Sequence, residues 1–446
     1  MAFDMPDATP QGVCTQIVTQ GAAQRKEVTV TDTTSYWRAH LVDARWFQGK
    51  GLPVRDIVVS PLPWYTADGD AMVRSELASV LVGDTEETYH LLVGYLPPGR
   101  GEPTALVGQA ELPGLGRRDV VDVPQSPKAM AAFLEAITRP GAAGVTWLET
   151  PPSPDAPTRV FPGEQSNTTV RIGDDVLFKM FRKVNPGPDI EAQMMAALAG
   201  SGIAPRLLGT LQAPGGSYEL GLFSQRIKDA MDGWAYCVDA CLAGRLVDDE
   251  MAALGVALRR LHEALAAAFG TATVDGAEIT SQMLDRLEAA SQQAPELDAL
   301  KVPLARALDL TGSTLETQRV HGDFHLGQAL IAPDGWTIID FEGEPLKSPA
   351  ERAAPDTVWR DVAGLLRSLD YARHRHPEPE GDQAVHWYRS ARRAFQDGYL
   401  GGTPLPEATC TAYEVDKAIY ELVYEVRNRP TWAGIPRDAI RTAISG

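Results

Sequence analysis

The stretch Val320–Leu330, VHGDFHLGQAL, concentrates two histidines, an aspartate and a glutamine beside apolar, strand-like sequence. Asp323 and Gln328 lie five residues apart, and Asp340 follows Asp323 by seventeen, at the end of a second apolar run. Between the two runs, Pro333-Asp334-Gly335 has turn chemistry, so QALIAPDGWTIIDFEGE is predicted to fold back as a β-hairpin. That return brings Asp340 beside the loop that holds Asp323 and Gln328. Two carboxylates and an amide oxygen then converge, which suits a general base at Asp323 and a hard-oxygen Mg²⁺ site at Gln328 and Asp340. Glu342, two residues beyond Asp340, falls on the same side of an extended chain, where it either joins a second metal or is solvated.

Zinc binding by His321 and His325 would need a helix, which Gly322 and Gly327 oppose, and no cysteine or third histidine is near. A plain structural turn would use the same Gly and Asp residues but would not require Asp340. Both histidines are read as hydrogen-bonding braces of the loop, with Asp323 as the reactive group.

A second pattern lies far upstream. GEQSNTTV (163–170), between strand-like pieces, offers Ser166, Asn167, Thr168 and free backbone N–H groups to phosphate oxygens. Lys179 stands in the apolar run DVLFKMF, where a buried lysine needs a partner; a surface lysine is the alternative. Glu191, twelve residues on, opens a predicted helix after NPGPD. A strand lysine paired with a helix glutamate is how protein kinases hold nucleotide phosphates. Their catalytic loop also separates base from metal-binding amide by five residues, with a metal-binding aspartate downstream. These spacings point to phosphoryl transfer from ATP. No GxxxxGK[ST] and no strand-borne GxGxxG is present, which argues against the P-loop and dinucleotide folds. Asp361, in WRDVAGLLRSLDYA, is read either as a brace accepting hydrogen bonds from the catalytic loop or as an ordinary acid at a helix N-terminus.

The elements that must position these residues follow from periodicity. LVDARWFQGKG, DIVVSPLPWY and YHLLVGYL predict a helix followed by alternating strands. SPKAMAAFLEAI reads as a helix capped by Ser126 with Pro127 in its first turn. The Pro-rich ETPPSPDAPTRV (149–160) reads as a linker or boundary. Short strands follow, and from about Gly233 amphipathic helical patterns dominate, at DEMAALGVALRRLHEALAAAF and near 281–310, 356–376, 382–399 and 411–427. A small β-rich lobe, a polar hinge and a larger helical lobe holding one hairpin make a bilobal, protein-kinase-like α+β layout.

Composition bounds the rest. At 446 residues two or three domains are expected, and 44% hydrophobic with 22% charged residues is an ordinary globular balance. The net charge of −18 disfavours phosphate backbones and anionic lipid, so neither nucleic acid nor membrane is an expected partner. Cys14, Cys237, Cys241 and Cys410 form no metal-spaced cluster and read as buried thiols of a reducing cytosol. The start MAFDMPDATP lacks a signal-peptide pattern and no run is long and apolar enough to span a bilayer, so a soluble cytoplasmic protein is expected.

HGDFHLGQ, DFEGEP and RDVAGLLRSLDYA resemble the aminoglycoside-phosphotransferase-like kinases. RWFQGKG, EQSNTT and DKAIYELVYEVRNRPTW extend the resemblance over almost the whole chain, to the actinobacterial maltokinase and glucosamine kinase branch. Gln328 stands where most of the wider family has Asn, and Glu342 where many have Asp; both departures are shared with maltokinases. The resemblance implies ATP and Mg²⁺ as cofactors and an N-terminal cap subdomain (31–110) after a poorly ordered segment (1–30). It further implies an intermediate subdomain and nucleotide lobe with hinge (111–228), and a helical catalytic and acceptor lobe (229–446). It places Gln225 and Ile227 of the hinge against the nucleotide, and draws the acceptor pocket from Asp323, His325, Tyr420, Glu421, Tyr424 and Glu425. The hinge segment SQRIKDAMDGWAYC departs from maltokinase versions, and Asp232, Glu421 and Glu425 would suit an ammonium group. The expected substrate is a small sugar, glucosamine before maltose, taken by a monomer with a dimer as alternative. An aminoglycoside phosphotransferase and a non-catalytic kinase-fold binding protein are the further alternatives.

Overall fold

The computed structural model describes residues 34–161, 166–344 and 347–445. The segment 1–30 read as poorly ordered, and the Gly163–Gln165 part of the phosphate-loop pattern, lie outside the described residues.

Helix α1 (Thr34–Asp43) leads into β1 (Val54–Thr66), β2 (Met72–Val82), β3 (Thr85–Leu96), β4 (Leu106–Leu112) and β5 (Gly116–Asp122). These strands form one antiparallel sheet in the order β1-β2-β3-β5-β4. The helix ends before RWFQGKG, which makes turns; Trp46 and Phe47 nevertheless enter the core with Trp37, Leu41 and Tyr89. Helix α2 (Pro127–Ile137) follows, with Ser126 accepting the Ala129 N–H at 3.3 Å as its cap.

A second antiparallel sheet is built from β6 (Val145–Trp147), β7 (Thr158–Val160), β8 (Thr168–Ile172), β9 (Val176–Met180), β10 (Leu207–Gln212) and β11 (Glu219–Gln225), in the order β6-β10-β11-β9-β8-β7. The Pro-rich 149–160 stretch therefore joins two edge strands of one sheet, so it is a loop inside this lobe and not a linker between units. Its prolines, which lack an N–H, suit a path that crosses the sheet end without pairing. Helix α3 (Ile190–Ala197) packs beside the sheet, capped by Asp189, whose carboxylate accepts the Glu191 N–H at 2.8 Å.

The helical lobe begins with β12 (Met231–Asp232), α4 (Gly233–Ala243) and α5 (Asp248–Phe269). Three acids open α5 where the helix dipole favours them, and its apolar face buries Met251, Leu254, Leu258, Leu261 and Leu265. Next come β13 (Thr271–Asp275), α6 (Gly276–Ser291), α7 (Lys301–Ala307), β14 (Thr314–Gln318) and the hairpin β15 (Ala329–Ala332)–β16 (Gly335–Ile338). Pro333 and Asp334 form the hairpin turn, and Gly335 takes the positive φ (121°) needed at its exit. The chain closes with α8 (Pro349–Ala353), α9 (Trp359–Arg373), α10 (Asp382–Leu400), α11 (Glu407–Asn428) and α12 (Gly434–Ser445). The helical patterns read from 281–310, 356–376, 382–399 and 411–427 all fall on helices of this lobe.

One apolar core runs from α2 through the second sheet into α4, α5, α9 and α10, so the two lobes share a continuous interior. No helix among the described residues is long and apolar enough to cross a membrane.

Candidate active site

Asp361 organises the loop that carries Asp323. It lies in the first turn of α9, fully buried, and its two oxygens accept the backbone N–H groups of His321 and Gly322, each at 2.8 Å. His262 adds a third contact from α5, Nε2 to Oδ2 at 2.9 Å. Burial alone would raise the Asp361 carboxyl, but the His262 bond and the loop N–H groups outweigh it and hold it below the usual carboxylate range. The helix-start reading and the brace reading of Asp361 are thus both met by one side chain. Arg360 adds a bond from Nε to the Gly322 carbonyl at 3.0 Å, and Ser368 accepts the Leu326 N–H at 3.1 Å. Gly364 allows α9 to approach this closely, since a Cβ there would lie 2.4 Å from the Phe324 carbonyl oxygen.

The histidines serve the same loop. His321 reaches across to the Ile339 carbonyl with Nε2 at 3.0 Å, tying the loop to the strand before Asp340. His325 accepts the Gly327 N–H at 3.1 Å through Nδ1 and so caps the short turn that presents Gln328. Ile339 N–H donates to the Gln328 carbonyl at 3.0 Å, and the Gln328 side-chain amide donates to Asp340 Oδ2 at 3.0 Å. Asp340 itself has φ +64°, a left-handed conformation uncommon for a residue with a Cβ. Such strain persists where the surroundings fix it, here the Gln328 and Lys179 bonds on its two oxygens.

From the other lobe, β9 delivers Lys179 to the same point. Its Nζ lies 2.7 Å from Glu191, 2.8 Å from Asp340 and 2.5 Å from Glu342. Burial opposes its charge, yet three carboxylates more than compensate and Lys179 is firmly protonated. Glu191, 4% exposed, is pushed up by burial despite Lys179. Burial likewise opposes ionisation of Asp340, but Lys179 first and then Gln328 hold its carboxyl well below the usual range. Asn167 closes the set by donating to Glu342 at 2.6 Å while accepting the Arg182 N–H at 3.1 Å. Glu342 is therefore neither merely solvated nor remote: it is bonded to both Lys179 and Asn167.

Around these groups opens a cleft of about 490 Å³, lined by Ser166, Asn167, Lys179, Glu191, Asp323, Gln328, Asp340 and Glu342. Leu177, Met195, Leu222, Leu330 and Ile339 give it an apolar wall, and Gln225 and Ile227 of the hinge line it too. Thr168 is buried beneath, accepting from Arg182 Nε at 2.8 Å. The oxygens of Glu191, Asp340 and Glu342 all lie within 4.8 Å of one another, Asp340 and Glu342 supplying hard donors of the kind Mg²⁺ takes and Glu191 staying paired with Lys179.

Helix α11 flanks Asp323 on the remaining side. Tyr420 lines a small cavity of about 140 Å³ beside it, and Glu421 is held by Arg367 Nε at 2.9 Å. Tyr424 is exposed; Glu425 is buried, accepting from Tyr371 Oη at 3.2 Å and Arg429 at 2.6 Å. Asp232 does not join the cleft: it is an exposed N-cap of α4, its carboxylate taken by the Ala235 N–H at 2.9 Å.

Sequence reasoning missed Lys417. Its Nζ lies 3.3 Å from Asp323 Oδ1 and 3.8 Å from Glu344, and 4.9 Å above the Tyr420 ring. It also missed the pair that ties the first sheet to the second, Arg182 to Asp122 at 2.8 Å. The one available signal for Lys417 was its helical spacing, three and four residues before Tyr420 and Glu421.

Residues 157–401 match the phosphotransferase enzyme family, and residues 40–125 match the maltokinase N-terminal cap domain. A glucosamine kinase of Streptacidiphilus jiangxiensis is 30% identical over 345 residues, 69% of this chain and 78% of that protein. One from Mycolicibacterium smegmatis (strain ATCC 700084 / mc(2)155) is 26% identical over 310 residues, 62% and 77% of the two chains. A solved structure described as glucosamine kinase in complex with glucosamine, ADP and inorganic phosphate superposes with a TM-score of 0.65 at 22% identity, over 92% of this chain and 99% of that one. The shared fold is kinase-like, as the spacing of Lys179, Asp323 and Asp340 implied.

Proposed function

This chain belongs to the phosphotransferase enzyme family, and within it we propose that it is an ATP-dependent glucosamine kinase that gives glucosamine 6-phosphate. The observation that carries the reading is the convergence of Lys179, Glu191, Gln328, Asp340 and Asp323 on one cleft, in a chain whose relatives at 30% and 26% identity are glucosamine kinases.

Asp323 acts as the general base. The acceptor hydroxyl oxygen forms a bond to the γ-phosphorus as the bond to the β,γ-bridging oxygen breaks. ADP leaves, and the hydroxyl proton passes to Asp323. Lys179, fixed by Glu191, would orient the α- and β-phosphates, and Ser166 with Asn167 lines the same cleft. Gln328, Asp340 and Glu342 are the residues that would hold Mg²⁺, which supplies charge neutralisation on the triphosphate. Lys179 already satisfies these carboxylates, and phosphate oxygens arriving in the cleft would draw it toward themselves and leave Asp340 and Glu342 free as oxygen donors. His325 and helix α11, with Tyr420, Glu421, Tyr424 and Glu425, bound the acceptor side.

Maltose is the second reading, favoured by the match of residues 40–125 to the maltokinase cap. An ADP-release assay with glucosamine, maltose, glucose, N-acetylglucosamine and a kanamycin-type aminoglycoside separates the cases, with the phosphate position read by NMR. Glucosamine-dependent release with phosphate on the 6-hydroxyl is expected; turnover of maltose alone would replace the reading.

A further inference from the structure

Helix α11 carries a fixed cation and a fixed carboxylate on one face, one turn apart. Lys417 is pinned between Asp323 and Glu344, at 3.3 and 3.8 Å, and covers the Tyr420 ring. Glu344 is itself immobilised, 5% exposed and bonded to Arg360 at 2.6 Å, while Arg360 also holds Asp356 and the Gly322 carbonyl. Lys417 therefore cannot swing away without breaking a network that includes the catalytic loop. Four residues on, Glu421 is fixed by Arg367.

We propose that Lys417 is a positioning residue that sets the orientation of a cationic acceptor, keeping the ammonium of a 2-amino sugar off Asp323 and turned toward Glu421 so that a hydroxyl faces the base. This rests on the glucosamine reading above. Without Lys417, Asp323 is the natural partner for the substrate's own ammonium, and an amino sugar would bind reversed, amine against the base, where no phosphoryl transfer follows. With Lys417 in place that pose sets two cations against each other. The surroundings reinforce the sign: Arg286, Lys347 and Arg360 join Lys417 around the 140 Å³ cavity, against Glu344 and Asp416 as its acids. A neutral sugar has no charge to misplace, so orientation by Lys417 acts on amino sugars alone.

The test is steady-state kinetics of Lys417→Met and Lys417→Arg in the full chain, with glucosamine and glucose as paired acceptors. Loss shared by both sugars reports the effect of Lys417 on Asp323. Reversed binding adds a parallel fall of kcat and KM for glucosamine only, on the order of tenfold, and Lys417→Arg restores the wild-type values. Equal changes for the two sugars, or a glucosamine KM that rises, overturns the proposal. If the wild type turns over a neutral sugar but not glucosamine, the glucosamine reading fails while Lys417 is still tested. Glucosamine should then inhibit Lys417→Met about tenfold more tightly than wild type, and an unchanged inhibition constant overturns the orientation. Should Lys417→Met not fold, Lys417→Gln carries the same comparison.

Discussion

Lys179 of the β-rich lobe and Asp340 of the helical lobe stand 2.8 Å apart across the cleft. They meet because β9 and the hairpin β15–β16 both end at the same point, and because Glu191 behind Lys179 is too buried to leave the ammonium to solvent. The contact joins the two lobes through charges that a nucleotide would also use.

Lys179→Met should therefore strip nucleotide positioning and leave Glu191 as a buried carboxylate without its cation. Turnover is expected to fall on the order of 10²–10³-fold, as when one preorganised charge contact is removed, with a higher KM for ATP. Asp340→Ala should abolish the Mg²⁺ dependence of nucleotide binding as well as activity. Calorimetric titration with ATP, with and without Mg²⁺, checks both; Mg²⁺-dependent binding that survives Asp340→Ala would remove Asp340 from the metal site.

Asp323→Asn separates base from binding site. The amide keeps the shape and the contact to Lys417 but cannot accept the proton. A loss in kcat of about 10²–10⁴-fold is expected, with ATP affinity within about twofold of wild type, because Asp323 makes none of the contacts assigned to phosphate. A variant that retained most of its turnover would relieve Asp323 of the base role.

Arg182 tests the joint between the first sheet and the second. Its guanidinium is 1% exposed, bidentate to Asp122, bonded to Thr168 and lying over Trp46 at 4.6 Å. Arg182→Met leaves Asp122 buried and uncompensated, which should cost about 3–5 kcal/mol of stability. Urea unfolding followed by tryptophan fluorescence measures it, and a loss under about 1 kcal/mol would mean that the pair contributes little.

The legible part of this site was the part whose geometry is local. Asp323, Gln328 and Asp340 share one loop and one hairpin, so spacing and a Pro-Asp-Gly turn were enough to bring them together. Lys179 and Glu191 were legible because a lysine in an apolar strand needs a partner. Lys417 was not: its carboxylate partner is 94 residues away in sequence, and a lysine on an amphipathic helix reads as solvent-facing until the packing of α11 on α9 is known. Arg182 and Asp122, 60 residues apart, were hidden for the same reason. Asp232 failed differently, since an acid before a helix has a backbone N–H to satisfy, and that local bond claimed the side chain expected at the acceptor. The proline-rich stretch misled because its composition is the same in a linker and in a loop within one sheet.

Asp189 gives a pH signature that is independent of turnover. Burial above all, with repulsion from Glu342, outweighs Lys179 and two backbone donors and raises its carboxyl to about 6. In the unfolded chain an aspartate titrates near 3.9. Between roughly pH 4 and 6 the native protein thus keeps a proton that the unfolded chain has released, so this residue favours folding at the acid end. That contribution is lost as pH rises through about 6. Asn at the same place still caps α3 but carries no charge. Asp189→Asn should therefore gain stability relative to wild type as pH increases from about 4 to about 7, and the difference should be constant above that. Urea midpoints across this range measure the gain. Curves that stay parallel would show that Asp189 titrates in the folded protein as it does in the unfolded one.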